Sequence, residues 1–250
     1  MATQEILSKN LLNNTSQVAV DSNTATTKKL FDRNTSLRYI TSGYNSATVT
    51  NITISFTAAT VISHVLLQNH NLATFSIFYD GTTTNQLFST TANAISNTYI
   101  GFSSVTVSSI TLRATTTFPT SVEKYVGELV IAERRLVFER NPSFKGFTPE
   151  LIPKQIVHNM PDGGVSVYWI RDKFQAKIGW QFITSGFKEN LRDIFESHTA
   201  FYFLAKPTTT SWDGRAYECS WIGPFNFKPS TNEEQQGFGG DFLVRQTYGA

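Results

Sequence analysis

Apolar and polar positions alternate along much of the first half of the chain. Thr48-Val-Thr-Asn-Ile-Thr-Ile-Ser-Phe56 sets Val49, Ile52, Ile54 and Phe56 apart from their polar neighbours, with one irregularity near Asn51. This is the period-two pattern of a half-buried strand. Ile62 to Leu67 is a short apolar run, and Phe75-Ser-Ile-Phe-Tyr79 leads into the turn Asp80-Gly81. Val105 to Leu112 is dense in β-branched residues, and Gly127-Glu-Leu-Val-Ile-Ala132 is a further apolar strand. Short strands with Thr, Ser, Asn and Gly between them, and no helical period, predict an antiparallel β-sandwich. Threonine suits such a fold because its branched side chain fits a pleated, half-wet surface.

The second half mixes two periods. Phe174-Gln-Ala-Lys-Ile-Gly-Trp-Gln-Phe182 alternates strictly, with Phe174, Ala176, Ile178, Trp180 and Phe182 on one face. Val165 to Ile170 precedes it, and Arg171-Asp-Lys173 between them predicts a hairpin. The period then lengthens. Phe187, Leu191, Ile194 and Phe195 recur at helical spacing over Phe187 to His198, with Ser185 as the N-cap. Strands over Ala200–Leu204, Tyr217–Ile222 and Asp241–Arg245 follow, with a turn at Trp212-Asp-Gly214. No repeat of solenoid length occurs.

Composition divides the chain at the same place. Residues 1–133 hold 41 Ser and Thr, and residues 134–250 hold 15; Lys and Arg number 7 and 14 in the two stretches, and all four Trp lie in the second. Such a shift marks two domains, 1–133 and 134–250, meeting at Glu133-Arg134-Arg135. No Gly/Ser or Pro linker separates them, which predicts a fixed mutual angle.

Charge and candidate chemistry narrow the function. A formal net charge of +2 on 250 residues excludes a strongly basic nucleic-acid binder, and Lys28-Lys29 and Arg134-Arg135 read as solvated faces. No apolar run is long enough to cross a membrane, and the N-terminus has no signal-peptide pattern. A reducing compartment is therefore expected, with the sequons at Asn13, Asn14, Asn34 and Asn51 unglycosylated. The single cysteine, Cys219, excludes an internal disulfide and a multi-thiolate zinc site. It sits in an alternating strand and reads as a buried, inert thiol. His64, His70, His158 and His198 share no metal-ligand spacing, and His198 suits the carboxyl end of the helix. There is no Gly-x-Ser-x-Gly. Gly237-Phe-Gly-Gly240 precedes a strand and reads as a turn or bulge, and Glu233-Glu234 reads as a polar loop pair. The chain is therefore expected to have no catalytic activity, no cofactor and no metal.

Two resemblances add to this. The order of Leu30-Phe-Asp32, Asn34-Thr35, Ile52–Phe56, Ile62–Leu72 with Gln68-Asn-His-Asn-Leu72, Phe75–Tyr79, Ser109–Arg113 and Val126–Ile131 resembles a galactose-binding-like, discoidin-type jelly roll. The hairpin Val165–Phe182, the helix Phe187–His198 and Asp213-Gly-Arg-Ala-Tyr-Glu-Cys-Ser-Trp221 resemble the tail-tube-like β-sandwich of distal tail proteins of long-tailed bacteriophages. Together they imply a mainly β, two-domain structural virion component assembled in the host cytoplasm. It would form a homo-oligomeric ring, usually of six copies, at the distal end of the tail, in contact with tube, hub and fibre proteins. Residues 134–250 would carry the ring contacts, with Trp169, Trp212 and Arg215 as interface anchors. Two alternatives stand beside this reading: a carbohydrate-binding module attaching to a host-surface glycan, and a hydrolase with a lectin-like domain.

Overall fold

A computed structural model describes residues 4–43, 48–81, 83–119, 122–142, 146–161, 163–205, 216–230 and 237–247. The turn expected at Trp212-Asp-Gly214, the interface residues Trp212 and Arg215, and Glu233-Glu234 lie outside them. The protein is mainly β, built as β-sandwich sheets. In chain order the strands are β1 (Glu5–Leu7), β2 (Val18–Val20), β3 (Tyr39–Ile40), β4 (Thr50–His70), β5 (Leu72–Tyr79), β6 (Gln86–Thr90), β7 (Thr98–Thr117) and β8 (Tyr125–Ala132). They continue with β9 (Arg134–Val137), β10 (Phe147–Asn159), β11 (Val165–Ile183), helix α1 (Ser185–Glu196), β12 (Phe201–Leu204), β13 (Ala216–Pro229) and β14 (Phe238–Gln246). Among the described residues no helix is long and apolar enough to cross a membrane.

The first sheet runs β3-β8-β4-β7-β5-β6, with β2 pairing β4. Thr48–Phe56 and Ile62–Leu67, expected as two strands, belong to the single long β4. The register of β4 against β7 shifts between Ser55 and Thr60 and again between Ile62 and His64. Such irregularities bend a strand without ending it, which is why the sequence shows an interruption there. Ile54 precedes them and Val65 follows them, yet both reach one core with Phe75, Ile110, Leu112 and Leu129.

The second sheet runs β10-β11-β14-β13-β12-β1-β9. β1 comes from the extreme N-terminal part of the described chain and lies between β12 and β9, with Ile6 opposite both Phe203 and Leu136. Residues 5–7 thus belong to the sheet of the second half. Its core joins Phe138, Phe174, Ile178, Trp180, Phe203, Cys219 and Val244 to Phe187, Leu191 and Ile194 of α1.

The second half departs from its sequence pattern at four places. Val165–Ile170 and Phe174–Phe182 are one continuous strand, β11, with no turn at Arg171-Asp-Lys173. The hairpin instead joins β11 to β10, and Met160 closes it on Gly164 and Gly163. Turn chemistry favours the Pro- and Gly-rich stretch after Met160 over three consecutive charged residues. The alternation of β11 fails at its end, where a register shift between Trp180 and Ile183 buries Ile183 and exposes Phe182. The N-cap of α1 is Thr184, one residue earlier than expected; its hydroxyl accepts from the Phe187 N–H at 3.2 Å and donates to Glu139. Gly239 and Gly240 do not precede the strand but lie within β14, at its register shift against β11 between Trp180 and Ile183.

Candidate functional site

Two regions combine apolar and polar side chains in ways the cores do not. The first is the joint between the sheets. Leu66, Tyr99, Val130 and Ala132 of the first sheet meet Leu7, Tyr202, Leu204 and Ala216 of the second in a separate buried cluster. Two polar clasps flank it.

One clasp is centred on Glu5. Its Oε2 lies 3.3 Å from His64 Nε2 and 3.3 Å from Arg134 Nε, and it accepts from the Tyr99 hydroxyl at 3.3 Å. His64 Nε2 also lies 2.9 Å from Tyr99 Oη, and its Nδ1 lies 2.7 Å from Ser63 Oγ. A Cβ at Gly101 would stand 2.9 Å from Tyr99 Oη and 3.1 Å from His64 Nε2, so glycine leaves the room this clasp occupies. Burial opposes the charge on Glu5, but His64 and Arg134 outweigh it and hold the carboxyl below its usual range. Burial also lowers His64, against the pull of Glu5. Arg134, expected on a solvated face, is part of this clasp.

The other clasp holds two carboxyls. Tyr202, on β12, donates to Glu128 Oε1, on β8, at 2.9 Å. Glu218, on β13, pairs with Arg33 Nε at 3.1 Å through Oε2, while its Oε1 accepts no hydrogen bond from the described residues. Glu128, Glu218, Tyr202 and Arg33 line one cavity of about 50 Å³, with Gln68, Thr35 and Gln246 around it. Burial first, with Glu218 and Asp32 adding like charge, pushes the Glu128 carboxyl up to about 7. Burial also raises Glu218, with Arg33 countering it. No sequence motif marks these residues. Their one signal is a carboxylate set inside an apolar strand, as in Gly127-Glu-Leu-Val and Tyr217-Glu-Cys.

The second region is an arm. β10 and β11 pair from Phe147↔Ile178 to Asn159↔Val165, but β14 pairs β11 only from Gln175 to Ile183. From Leu151 and Phe174 outward, the two strands therefore stand without a third. Val157↔Val167 and Gln155↔Trp169 lie on one face of this ribbon and Ile156↔Tyr168 on the other. Leu151 and Val165 are 61% exposed, and Tyr168 and Trp169 are 60% exposed, with Ile156, Val157, Val167 and Ile170 also open. Trp169, the expected anchor, is thus on the arm. Pro149 and Pro153 sit in β10, the edge strand. A strand proline is tolerated where its missing N–H faces away from the partner, so the outer edge lacks those two donors and resists added strands.

The remaining candidates separate. His70 is fully buried; its Nδ1 accepts from the Leu72 N–H at 3.0 Å, so Nε2 carries the proton and donates to Thr98 Oγ1 at 2.9 Å. Burial lowers it to about 4. His158 packs edge-on against Tyr168 on the arm, and His198 follows the helix in a left-handed conformation. Cys219 is buried, and burial with the Glu218 charge pushes its thiol up. Asn14 caps a short 3-10 helix at Thr15–Gln17. Among the described residues no group of three or more His, Cys, Asp or Glu could hold a metal ion.

At one end of the first sheet, Leu37, Ile40, Ile95 and Val122 are exposed, and the Arg38 guanidinium stacks 4.2 Å over Tyr125. Asn71, in the Gln68–Leu72 segment, ties this end together: its amide donates to the Glu123 carbonyl at 2.8 Å and accepts from the Tyr125 N–H at 2.8 Å.

No protein-family model matches the chain, and no curated protein matches it. Its structural neighbours include carbohydrate-binding modules. Chitosan-binding module 1 from a Paenibacillus sp. IK-5 chitosanase/glucanase is 16% identical, with a TM-score of 0.44 over 50% of this chain and 98% of that one. A pectin-binding carbohydrate-binding module is 20% identical, with a TM-score of 0.36 over 46% and 87%. A Clostridium perfringens module in complex with GalNAc-β-1,3-galactose is 13% identical, with a TM-score of 0.39 over 46% and 92%.

Proposed function

We propose that this chain is a multi-copy structural protein without catalytic activity, a ring-forming component at the distal end of a long phage tail that links the tube to baseplate or receptor-binding parts. The observation that carries the reading is the arm. A free two-stranded ribbon is marginal in water, and one that exposes valine, isoleucine, tyrosine and tryptophan on both faces is stabilised when another surface covers it. Pro149 and Pro153 disfavour open-ended strand addition at its outer edge, which leaves side-chain docking by the faces. Docking through unlike patches closes a ring when the rotation closes.

The test is the solution mass of the full chain beside a variant carrying Val167→Ser, Tyr168→Ser and Trp169→Ser. The expected result is a particle several times the monomer mass, alone or with a tail-tube protein, that the variant does not form. A full chain that stays monomeric in both settings overturns the reading.

A second reading has its own observation, the apolar and Arg38–Tyr125 surface at the loop end of the first sheet. A flat stacked pair bordered by asparagines suits a sugar ring, which offers an apolar face and hydroxyls at its rim. Host-surface glycan attachment by this end predicts oligosaccharide binding that Arg38→Ala and Tyr125→Ala weaken and the arm variant leaves unchanged.

A further inference from the structure

The clasp at Glu128 is built against itself. Three carboxyl groups gather at the joint, Glu128 from β8, Glu218 from β13 and Asp32 from the segment before β3, and the positive charge facing them is Arg33. Glu128 and Glu218 are both more than nine-tenths buried, and they come from different sheets. Tyr202, fully enclosed and kept protonated by burial and by the two carboxylates, supplies a donor and no charge. Arg33 pairs with Glu218, while Glu128 receives a neutral hydrogen bond. Buried like charges repel strongly because little water screens them. Removing the charge on Glu128 ends its repulsion with Glu218 across the joint.

We propose that this joint is a proton-operated latch: with a proton on Glu128 the two sheets lock together, and loss of that proton sets Glu128 against Glu218 across the joint and loosens it. The groups facing Glu128 are Tyr202, Glu218, Asp32 and Arg33, with uncharged Gln68 beside it on β4. The sign follows from where the proton is held. The folded chain keeps it to about pH 7, whereas a free glutamate loses it near 4.5. Stability from this group is therefore full at the acid end of that window and is lost as pH rises through 7. The latch concerns the joint alone and is independent of what the arm contacts.

Glu128→Gln tests it, because an amide oxygen can still accept from Tyr202 and carries no charge. Thermal midpoints of the full chain and of this variant are compared from about pH 5.5 to about pH 8.5, together with hydrogen exchange across β8, β12 and β13, corrected for intrinsic rates. The expected result is a variant midpoint that rises above the parent's as pH climbs to about 7 and holds that lead beyond it, while parent exchange at the joint becomes several-fold faster and variant exchange does not. A ¹³C-carboxyl titration should place Glu128 near neutrality, and Arg33→Gln should move it higher. Parallel midpoint curves overturn the latch, as does a Glu128 carboxyl that titrates in the ordinary glutamate range.

Discussion

The joint and the arm both expose apolar side chains of one sheet to something beyond that sheet. At the joint, Leu66, Val130 and Ala132 find Leu204, Ala216 and Leu7 within the same chain. On the arm, Val167 and Trp169 find no cover among the described residues. The joint also carries ionisable groups whose charge states depend on being buried together. The difference separates two uses of hydrophobic surface. Buried inside one chain it contributes to folding, and left open it is available for association.

Cutting the chain at the compositional boundary should have the largest effect. A fragment of residues 134–250 lacks β1, the strand that joins β12 to β9. It should fail to give a cooperative fold alone, and a peptide covering residues 1–12 should restore one. Near-UV circular dichroism decides this, and a fragment that melts like the parent would show β1 to be dispensable. The monomeric or oligomeric state of the isolated halves therefore reports folding as well as assembly.

Next in size is Leu66→Ala, at the centre of the joint. Leu66 is fully buried, so the truncation should cost about 2–5 kcal/mol in denaturant unfolding. A cost below about 1 kcal/mol would place the joint among wet, sliding contacts.

The acid side of the stability profile gives a comparable effect from His70. Its folded value of about 4 against an ordinary 6.5 means that the neutral ring is retained on folding. Stability is full above 6.5 and is lost as pH falls toward 4, by about 3 kcal/mol for a shift of that size. His64 and Glu5, both lowered, act in the same direction, opposite to Glu128. His70→Gln should flatten the acid limb in a urea-unfolding series across this range, and an unchanged slope would remove His70 from it.

The smallest expected effect on stability belongs to the arm. Val167→Ser with Trp169→Ser should change unfolding free energy by less than about 0.5 kcal/mol, because more than half of each residue is already exposed to water. A loss of several kcal/mol would mean that the arm is packed within its own chain.

Local sequence determined much of this protein. Alternation and β-branched density placed the later part of β5, the middle of β7 and the inner part of β11, because side-chain period is set by the pleat itself, and an apolar run placed β8, which is buried along nearly its whole length. Helical spacing placed Phe187, Leu191 and Ile194 on the buried face of α1, while Phe195 at its edge is half-buried against Trp221 and Phe225. Burial of Cys219 followed from its strand neighbours. Tertiary structure decided the rest. β10 was hidden by Pro149 and Pro153, which weaken a strand signal and are tolerated on a sheet edge. Three residues of β1 are too few to show a period, and a partner strand 130 residues away gives them their place. Glu5, Glu128 and Glu218 are ordinary acids in the sequence. Only the approach of two sheets removes their water and couples their charges, and that approach depends on long-range contacts that no local pattern records.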